Sequence, residues 1–308
     1  MTYCVAHWLD SGLVFATDSR TNAGVDYIST YSKMHVLQPA PDRLFVLLAA
    51  GNLATTQAVL NRIQRDLHGQ AGPSEPPPPP TPTQTSVFVE ATPAGASAPG
   101  GVAPEADQLG GTGSGVPAPD PAPVAAQVLG PTAAPDLLSA RYLFEAADYI
   151  GRTSVAVQDQ FAASLRRSGA SAQASFILGG QIQGDQHGLY LIYPQGNAVM
   201  ATRDTPFLQI GESKYGKPPL DFVGHCGLSL EDAARLCLIS QVITHRSNLT
   251  VGPPFELALM PANTLRISRR IKLDKGAPEI KRSAEVWAGC MQDGLQRLPR
   301  FAWEEGPL

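Results

Sequence analysis

The amino-terminal 51 residues carry side chains and a glycine whose types suit hydrolytic chemistry. Thr2 follows Met1, and removal of Met1 would leave a hydroxyl and a free α-amino group on one residue. A free α-amine has a pKa of about 7.7–8.0, so a fraction of it is neutral near pH 7 and accepts a hydroxyl proton. Thr2 is therefore a candidate nucleophile that carries its own base, although a threonine in second position usually has no such role.

Two charged residues strengthen this candidate. Asp18 follows the second predicted strand in ATDSR, and Lys33 opens the third in SKMHV. A lysine ammonium near Thr2 would favour the alkoxide and lower the pKa of the α-amine, while Asp18 would hold the lysine by a charge-assisted hydrogen bond. The alternative is a surface ion pair at the end of a strand, and the spacing leaves both interpretations open.

Gly51 lies in the turn AAGN, between the fourth predicted strand and the first predicted helix. A residue without a Cβ lets a substrate approach the backbone, and its N–H would be able to face a developing oxyanion. The alternative is an ordinary glycine in a strand-to-helix turn.

The elements that must position these residues are short strands followed by helices. Runs of apolar and β-branched residues predict four strands in the first half: Tyr3–Leu9, Leu13–Thr17, Met34–Gln38 and Arg43–Ala50. Apolar residues at helical spacing then predict helices over about 53–68 and 138–167.

The second half repeats this order. Strands are predicted within 171–183 and at Leu189–Tyr193, Met200–Thr202, Phe207–Gly211 and Phe255–Met260. Helices are predicted at about Ser229–Thr244 and Glu279–Leu298. Strands, two helices, strands and then helices indicate two sheets covered by helical layers.

The predicted domain organisation is one domain, 2–70 and 138–308, interrupted by an insertion at 71–137. Sixteen of the 28 prolines fall within the insertion, and no lysine or arginine occurs between Arg65 and Arg141. Such a composition buries too little apolar surface to offset its ordering entropy, so we expect a disordered or polyproline-like segment. A tolerated insertion is favoured over a partner-binding segment, because loop-closure entropy rises slowly with length.

Charge and cysteine content exclude several classes of protein. The net charge of −4 gives no reason to expect a nucleic-acid or anionic-membrane partner, and the basic residues of 266–282 are interpreted as a solvated face. The four cysteines show neither C-x-x-C nor zinc-ligand spacing, so we expect buried, reduced thiols and no metal or other cofactor. Neither a signal sequence nor an 18-residue apolar stretch occurs, which predicts a soluble, cytoplasmic protein.

Several segments together resemble a known family. TYCVAHWLDSGLVFATDSRTNAG, the lysine of YSKMHV and LLAAGNLATTQAVL are similar to the amino-terminal half of proteasome-type β subunits, most closely the bacterial Anbu group. IGESKYGKPPLD and RSNLTVGPPFELAL are also similar to Anbu segments. The resemblance covers about 2–70 and 138–262.

The resemblance implies an N-terminal-nucleophile hydrolase with a four-layer αββα sandwich, in which the active threonine starts a central strand. It implies Thr2 as nucleophile, Asp18 and Lys33 as its activating pair, and three further site residues: Arg20 as support, Gly51 as the oxyanion-hole amide, and Ser213 as the serine near the terminal amine. The proteasomal Asp-x-x-Ser-Gly arrangement has no copy here. RSNLTVG instead offers Ser247, Thr250 and Gly252, without the carboxylate.

The leading functional hypothesis is a threonine-type peptide hydrolase that acts on a peptide or amide substrate. The resemblance also implies self-assembly into a ring or an open spiral, while an ATPase partner is left undetermined. Two alternatives remain: an amidohydrolase for one small or peptide-like metabolite, and an assembly scaffold with little turnover.

Overall fold

The computed structural model describes residues 2–22, 28–70 and 134–304. Most of the predicted insertion lies outside these described residues. Its last four positions lie inside them, and Leu137 is fully buried in the apolar core. Arg43 donates hydrogen bonds to the carbonyl oxygens of Leu137, Leu138 and Ala140. The core therefore resumes a few residues earlier than the composition predicted.

The described chain forms twelve strands and five α-helices. The strands are β1 (Tyr3–Leu9), β2 (Gly12–Asp18), β3 (Arg20–Asn22), β4 (Ile28–Thr30), β5 (Met34–Ala40), β6 (Arg43–Gly51), β7 (Ala174–Ile182), β8 (Gly188–Ile192), β9 (Ala198–Met200), β10 (Phe207–Gly211), β11 (Phe255–Pro261) and β12 (Arg269–Leu273). The helices are α1 (Leu53–Gln70), α2 (Leu143–Arg167), α3 (Lys217–Val223), α4 (Leu230–Ser247) and α5 (Pro278–Arg297). A short 3-10 helix, Ala302–Glu304, follows α5.

The strands form two five-stranded antiparallel sheets and one hairpin. The first sheet has the order β10-β1-β2-β11-β12, and the second has the order β5-β6-β7-β8-β9. The strands β3 and β4 pair with each other. Every pairing in both sheets is antiparallel.

Three apolar clusters separate four layers. One cluster joins α1 and α2 to the second sheet, and another joins α4 to the first sheet. The third lies between the two sheets. Because successive side chains of a strand point to opposite faces, Tyr3 and Val5 of β1 pack toward α4 whereas Cys4 and Ala6 pack between the sheets. The predicted αββα sandwich is confirmed.

Some boundaries differ from the sequence-based prediction. The helix predicted from residue 138 begins at Leu143, because Glu145 accepts hydrogen bonds from the Arg141 and Tyr142 backbone N–H groups and fixes the first turn there. The basic segment predicted as a solvated face contains the edge strand β12, of which only Leu273 is buried. Neither α3 nor the β3–β4 hairpin was predicted.

The four cysteines are free thiols. Cys4 and Cys237 are buried, as expected, whereas Cys290 is exposed and Cys226 is half-buried, so the expectation of burial is wrong for those two. Within the described ranges, no cluster of histidine, cysteine, aspartate and glutamate has an arrangement that would hold a metal ion. No helix in the same ranges is long and apolar enough to cross a membrane.

Candidate active site

Thr2 lies immediately before β1, an inner strand flanked by β10 and β2. Its carbonyl oxygen accepts a hydrogen bond of 2.7 Å from Glu212 N. The next backbone N–H, that of Tyr3, donates to Asp18 Oδ1 at 2.9 Å. The peptide group that joins Thr2 to Tyr3 is thus hydrogen-bonded on both sides, to Glu212 just beyond β10 and to Asp18 of β2, so the start of the chain is fixed against the sheet.

Gly211 permits this arrangement at the end of β10. Its φ is +84°, and a Cβ at this position would lie 2.0 Å from Thr2 O. Any larger residue would push Thr2 away from the sheet, since both the backbone conformation and the space require glycine.

Asp18 is fully buried at the end of β2. Its carboxylate accepts hydrogen bonds from Lys33 Nζ at 2.7 Å, from Tyr3 N at 2.9 Å and from Gly252 N at 3.3 Å. Burial raises the pKa of Asp18 above its ordinary value, although Lys33 and the two N–H donors act in the opposite direction. The carboxylate is therefore fully partnered, and it connects the start of β1 to Lys33.

Lys33 is also buried, with 7 % of its surface exposed. Its ammonium group donates a second hydrogen bond, of 2.7 Å, to Arg20 O, and its own carbonyl accepts from Ala49 N at 3.1 Å. The interpretation of Asp18 and Lys33 as a surface ion pair is wrong, because both side chains lie inside the protein.

Arg20 supports this pair from outside. Its Nη1 donates to Leu249 O at 2.7 Å, and its guanidinium lies over Gly252, where a Cβ would approach Arg20 Cζ to 2.6 Å. The contact secures the segment whose Gly252 N–H reaches Asp18. The sequence identified Gly252 only by its position in RSNLTVG, and nothing local to that motif indicates a hydrogen bond to Asp18.

Thr2, Lys33 and Gly51 line one cavity of about 140 Å³. The sequence places these residues far apart, and the two sheets bring them together at one end of the sandwich. Four larger cavities of the described chain, of about 670, 650, 550 and 240 Å³, include none of the predicted site residues. The small cavity is therefore the candidate substrate pocket.

Gly51 has a packing requirement of its own. Its φ is +119°, and a Cβ would lie 2.3 Å from Gln173 O of the neighbouring chain segment. This close contact is sufficient by itself to require glycine at position 51, whether or not a substrate binds there. Gly51 also lines the cavity that contains Thr2, which is compatible with the predicted oxyanion-hole role. That role stays a prediction.

Ser213 is half-buried in the loop after β10. Its backbone N–H donates to Gly211 O at 3.1 Å, but within the described residues its hydroxyl forms no hydrogen bond with Thr2. The adjacent Glu212, which the sequence did not single out, holds Thr2 through its backbone N–H. Its carboxylate accepts from Asn248 Nδ2 at 3.0 Å, so a carboxylate is present in the loop that binds Thr2.

Solved structures similar to this chain identify its family. The Anbu (ancestral β subunit) from Yersinia bercovieri is 32% identical, with 97% of this chain and 99% of that chain covered and a TM-score of 0.68. The chain belongs to the Anbu family. An Anbu complex from Pseudomonas aeruginosa, described as a helical assembly, is also 32% identical, covers 99% of this chain and 100% of its own, and has a TM-score of 0.71.

A third Anbu structure, a Gly-1 mutant from Hyphomicrobium sp. strain MC1, is 31% identical, with 98% and 99% of the two chains covered and a TM-score of 0.71. Comparison with protein-family models and with curated protein sequences finds no match. The predicted resemblance to the Anbu group is confirmed, and with it the proteasome-β-like N-terminal-nucleophile fold. The catalytic roles of individual residues in this Anbu chain stay predictions.

Proposed function

We propose that this Anbu chain is a threonine-type peptide hydrolase in which removal of Met1 makes Thr2 the amino-terminal residue. The observation that carries the proposal is the junction at Asp18, whose Oδ1 accepts hydrogen bonds from both Tyr3 N and Lys33 Nζ. A single buried atom thereby ties the residue after the nucleophile to the cation that would activate it. Arg20, Gly252 and Glu212 support this junction from the neighbouring loops.

The proposed first step is attack of the Thr2 hydroxyl oxygen on the substrate's amide carbon, while the α-amine takes the hydroxyl proton. Lys33 favours this step in two ways, since its positive charge stabilises the alkoxide and lowers the pKa of the nearby α-amine. The carbonyl oxygen becomes an oxyanion, which the Gly51 N–H would stabilise.

Collapse of the tetrahedral intermediate breaks the carbon–nitrogen bond, and the leaving amine receives the proton from the Thr2 α-ammonium. An ester between Thr2 and the acyl part of the substrate remains. The same α-amine then takes a proton from water, which attacks the ester carbonyl. Release of the carboxylic acid restores the Thr2 hydroxyl, so the reaction consumes one water molecule per amide bond.

The pocket favours an uncharged substrate side chain of moderate size. A cavity of about 140 Å³ is small, and the ionisable side chains among its described lining residues are Lys33, His35 and Tyr31, none of which is a carboxylate. Burial lowers the pKa of His35 below its ordinary value, so this imidazole is neutral near pH 7. Lys33 is already bound to Asp18, which leaves no free charge to pair with a charged substrate.

We further propose that the chain self-assembles. The relative from Pseudomonas aeruginosa is described as a helical assembly, and it covers almost the whole of this chain at 32% identity. We expect copies of this chain to form a ring or an open spiral. Light scattering of the purified protein tests this, because an assembly has a mass several times that of one chain.

Intact-mass measurement before and after treatment with a peptidyl epoxyketone tests the hydrolase proposal. The two electrophilic carbons of this probe react with a hydroxyl and an amine on one residue, so the adduct requires a free Thr2. We expect a native mass without Met1, a single adduct, and no adduct in Thr2→Ala. Retention of Met1, or equal labelling of Thr2→Ala, would overturn the mechanism. Turnover of one small amide without peptide cleavage would favour the amidohydrolase instead.

A further inference from the structure

Glu256 is a buried carboxylate that the proposed mechanism does not use. It lies on β11 directly opposite Thr17 of β2, and 5 % of its surface is exposed. Residues opposite each other in an antiparallel pair share a face of the sheet. Thr17 contacts Cys4 Sγ of the cluster between the sheets, so Glu256 also faces the interior of the sandwich.

Three donors converge on the Glu256 carboxylate. Ser19 Oγ donates to Oε1 at 2.8 Å, and Ser32 Oγ donates to Oε2 at 3.0 Å. Arg270 Nη2, from β12, donates to Oε2 at 3.1 Å. Burial by itself would raise the pKa of Glu256, but these hydrogen bonds hold it below its ordinary value. The group is therefore an ionised acceptor with both oxygens occupied.

The two serines are the immediate neighbours of the buried ion pair. Ser19 follows Asp18, and Ser32 precedes Lys33. The Ser19 segment is also fixed by backbone hydrogen bonds, since Ser19 N donates to Pro254 O at 2.8 Å and Tyr31 N donates to Ser19 O at 2.9 Å. One carboxylate thus joins the end of β2 to the segment that leads into β5.

This connection reduces the conformational freedom that the site must lose when Lys33 is held in place. A lysine side chain has many rotamers, and ordering it costs conformational entropy. Lys33 keeps its ammonium on Asp18 only while the backbone at both residues stays in place. Contacts that fix the adjacent residues Ser19 and Ser32 reduce the freedom of both backbones, and Glu256 accepts from both hydroxyls.

We propose that Glu256 is a positioning residue of the Thr2 site, which fastens the segments carrying Asp18 and Lys33 to β11 and so fixes the Lys33 ammonium. The effect of Glu256 on catalysis rests on the proposed function. Its role in fixing the position of Lys33 does not depend on that function. Glu256 does not line the 140 Å³ cavity, so it would affect the chemical step and leave binding of the acyl side chain unchanged.

The test compares Glu256→Gln with the double variant Ser19→Ala/Ser32→Ala and with the triple variant. Glu285→Gln is the matched control, because it makes the same carboxylate-to-amide change on the exposed surface of α5. Two quantities are measured in folded protein. One is the concentration dependence of epoxyketone labelling, which separates the maximal rate from the half-saturating concentration. The other is hydrogen exchange in peptides containing Tyr3 N–H and Gly252 N–H, the two backbone donors to Asp18.

We expect Glu256→Gln to lower the maximal labelling rate by about 10- to 100-fold with the half-saturating concentration within about twofold of the parent value, because small misplacements of catalytic groups have effects of this size. Exchange at both amides should be faster. The serine double variant should lower the maximal rate and speed exchange to the same extent, and the triple variant should add nothing further, since the hydroxyls act through Glu256. For these two variants the half-saturating concentration is not a criterion, because Ser32 lines the cavity. Glu285→Gln should match the parent in every measurement.

Unchanged exchange at both amides in Glu256→Gln would overturn the positioning role, whatever the labelling shows. If the parent labels and Glu256→Gln labels at the same maximal rate, the catalytic consequence proposed for Glu256 would be overturned. A parent chain that never labels at Thr2, combined with faster exchange in Glu256→Gln, would overturn the proposed function while leaving the positioning role of Glu256 intact.

Discussion

Lys33 Nζ lies 2.7 Å from Asp18 Oδ1 in a place where the Asp18 side chain has no contact with solvent. Two charges removed from water depend on each other, because each one alone would remain buried without a counter-charge. The pair is therefore a structural junction between β2 and the segment before β5 as well as the centre of the candidate site.

Replacing Asp18 by asparagine should lower both stability and labelling. The Lys33 ammonium would lose its buried counter-charge, and we expect the free energy of unfolding to fall by about 3–5 kcal/mol. Urea unfolding gives this value. Asp10→Asn is the control, because Asp10 pairs with Arg203 on the surface, where such pairs contribute about 0–1 kcal/mol. Equal losses in the two variants would contradict a buried, mutually dependent pair.

His7 should make stability depend on pH. Burial lowers its pKa from 6.5 to about 4, and within the described residues its Nε2 has no hydrogen-bond partner. Between these two pH values the unfolded chain binds a proton that the folded chain does not, so stability rises with pH across this window. The difference corresponds to roughly 3 kcal/mol.

Urea unfolding of the parent and of His7→Leu at a series of pH values measures this effect. We expect the parent to lose stability as the pH falls from about 6.5 towards about 4, and the variant to lose less over the same interval because leucine does not titrate. Parallel curves for the two proteins would exclude His7 as the source of the pH dependence.

Two glycines should respond oppositely to alanine. Gly51→Ala places a Cβ 2.3 Å from Gln173 O on a backbone with φ of +119°, and we expect a loss of about 1–3 kcal/mol. Gly69 lies in α1, where a Cβ would meet no atom of the described residues within 4 Å, so Gly69→Ala should add about 0.5–1 kcal/mol. Thermal or urea unfolding measures both changes, and a neutral Gly51→Ala would show that β6 and β7 can separate at this point.

Ala49→Val should narrow the candidate pocket and change substrate preference. Ala49 lines the cavity of about 140 Å³ together with Thr2. Two added methyl carbons should lower kcat/KM for a peptide with leucine before the cleaved bond by about 10-fold or more, and lower it less for one with alanine. Ala198→Val, at an exposed position on β9, should leave both values unchanged. Equal effects on both peptides would place the substrate side chain elsewhere.

Local sequence patterns predicted most elements because they depend on neighbouring residues. The run of apolar and β-branched residues in Tyr3–Leu9 predicted β1, and helical spacing after Gly51 predicted α1. The edge strand β12 was missed because its basic residues are typical of a solvated segment and only pairing with β11 makes it a strand. The start of α2 was placed early because apolar spacing does not show where Glu145 caps the helix.

The amino-acid sequence was sufficient to predict the order of strands and helices, the resemblance to Anbu, and three residues with suitable chemistry: Thr2, Asp18 and Lys33. The folded structure was needed to show that Asp18 and Lys33 are buried, that the Gly252 N–H donates to Asp18, and that Glu256 accepts from both Ser19 and Ser32. Gly252 lies 234 positions from Asp18, and Glu256 lies 237 from Ser19. Hydrophobic periodicity is local, whereas these contacts depend on how β2 and β11 pair across the sheet, which no short segment specifies.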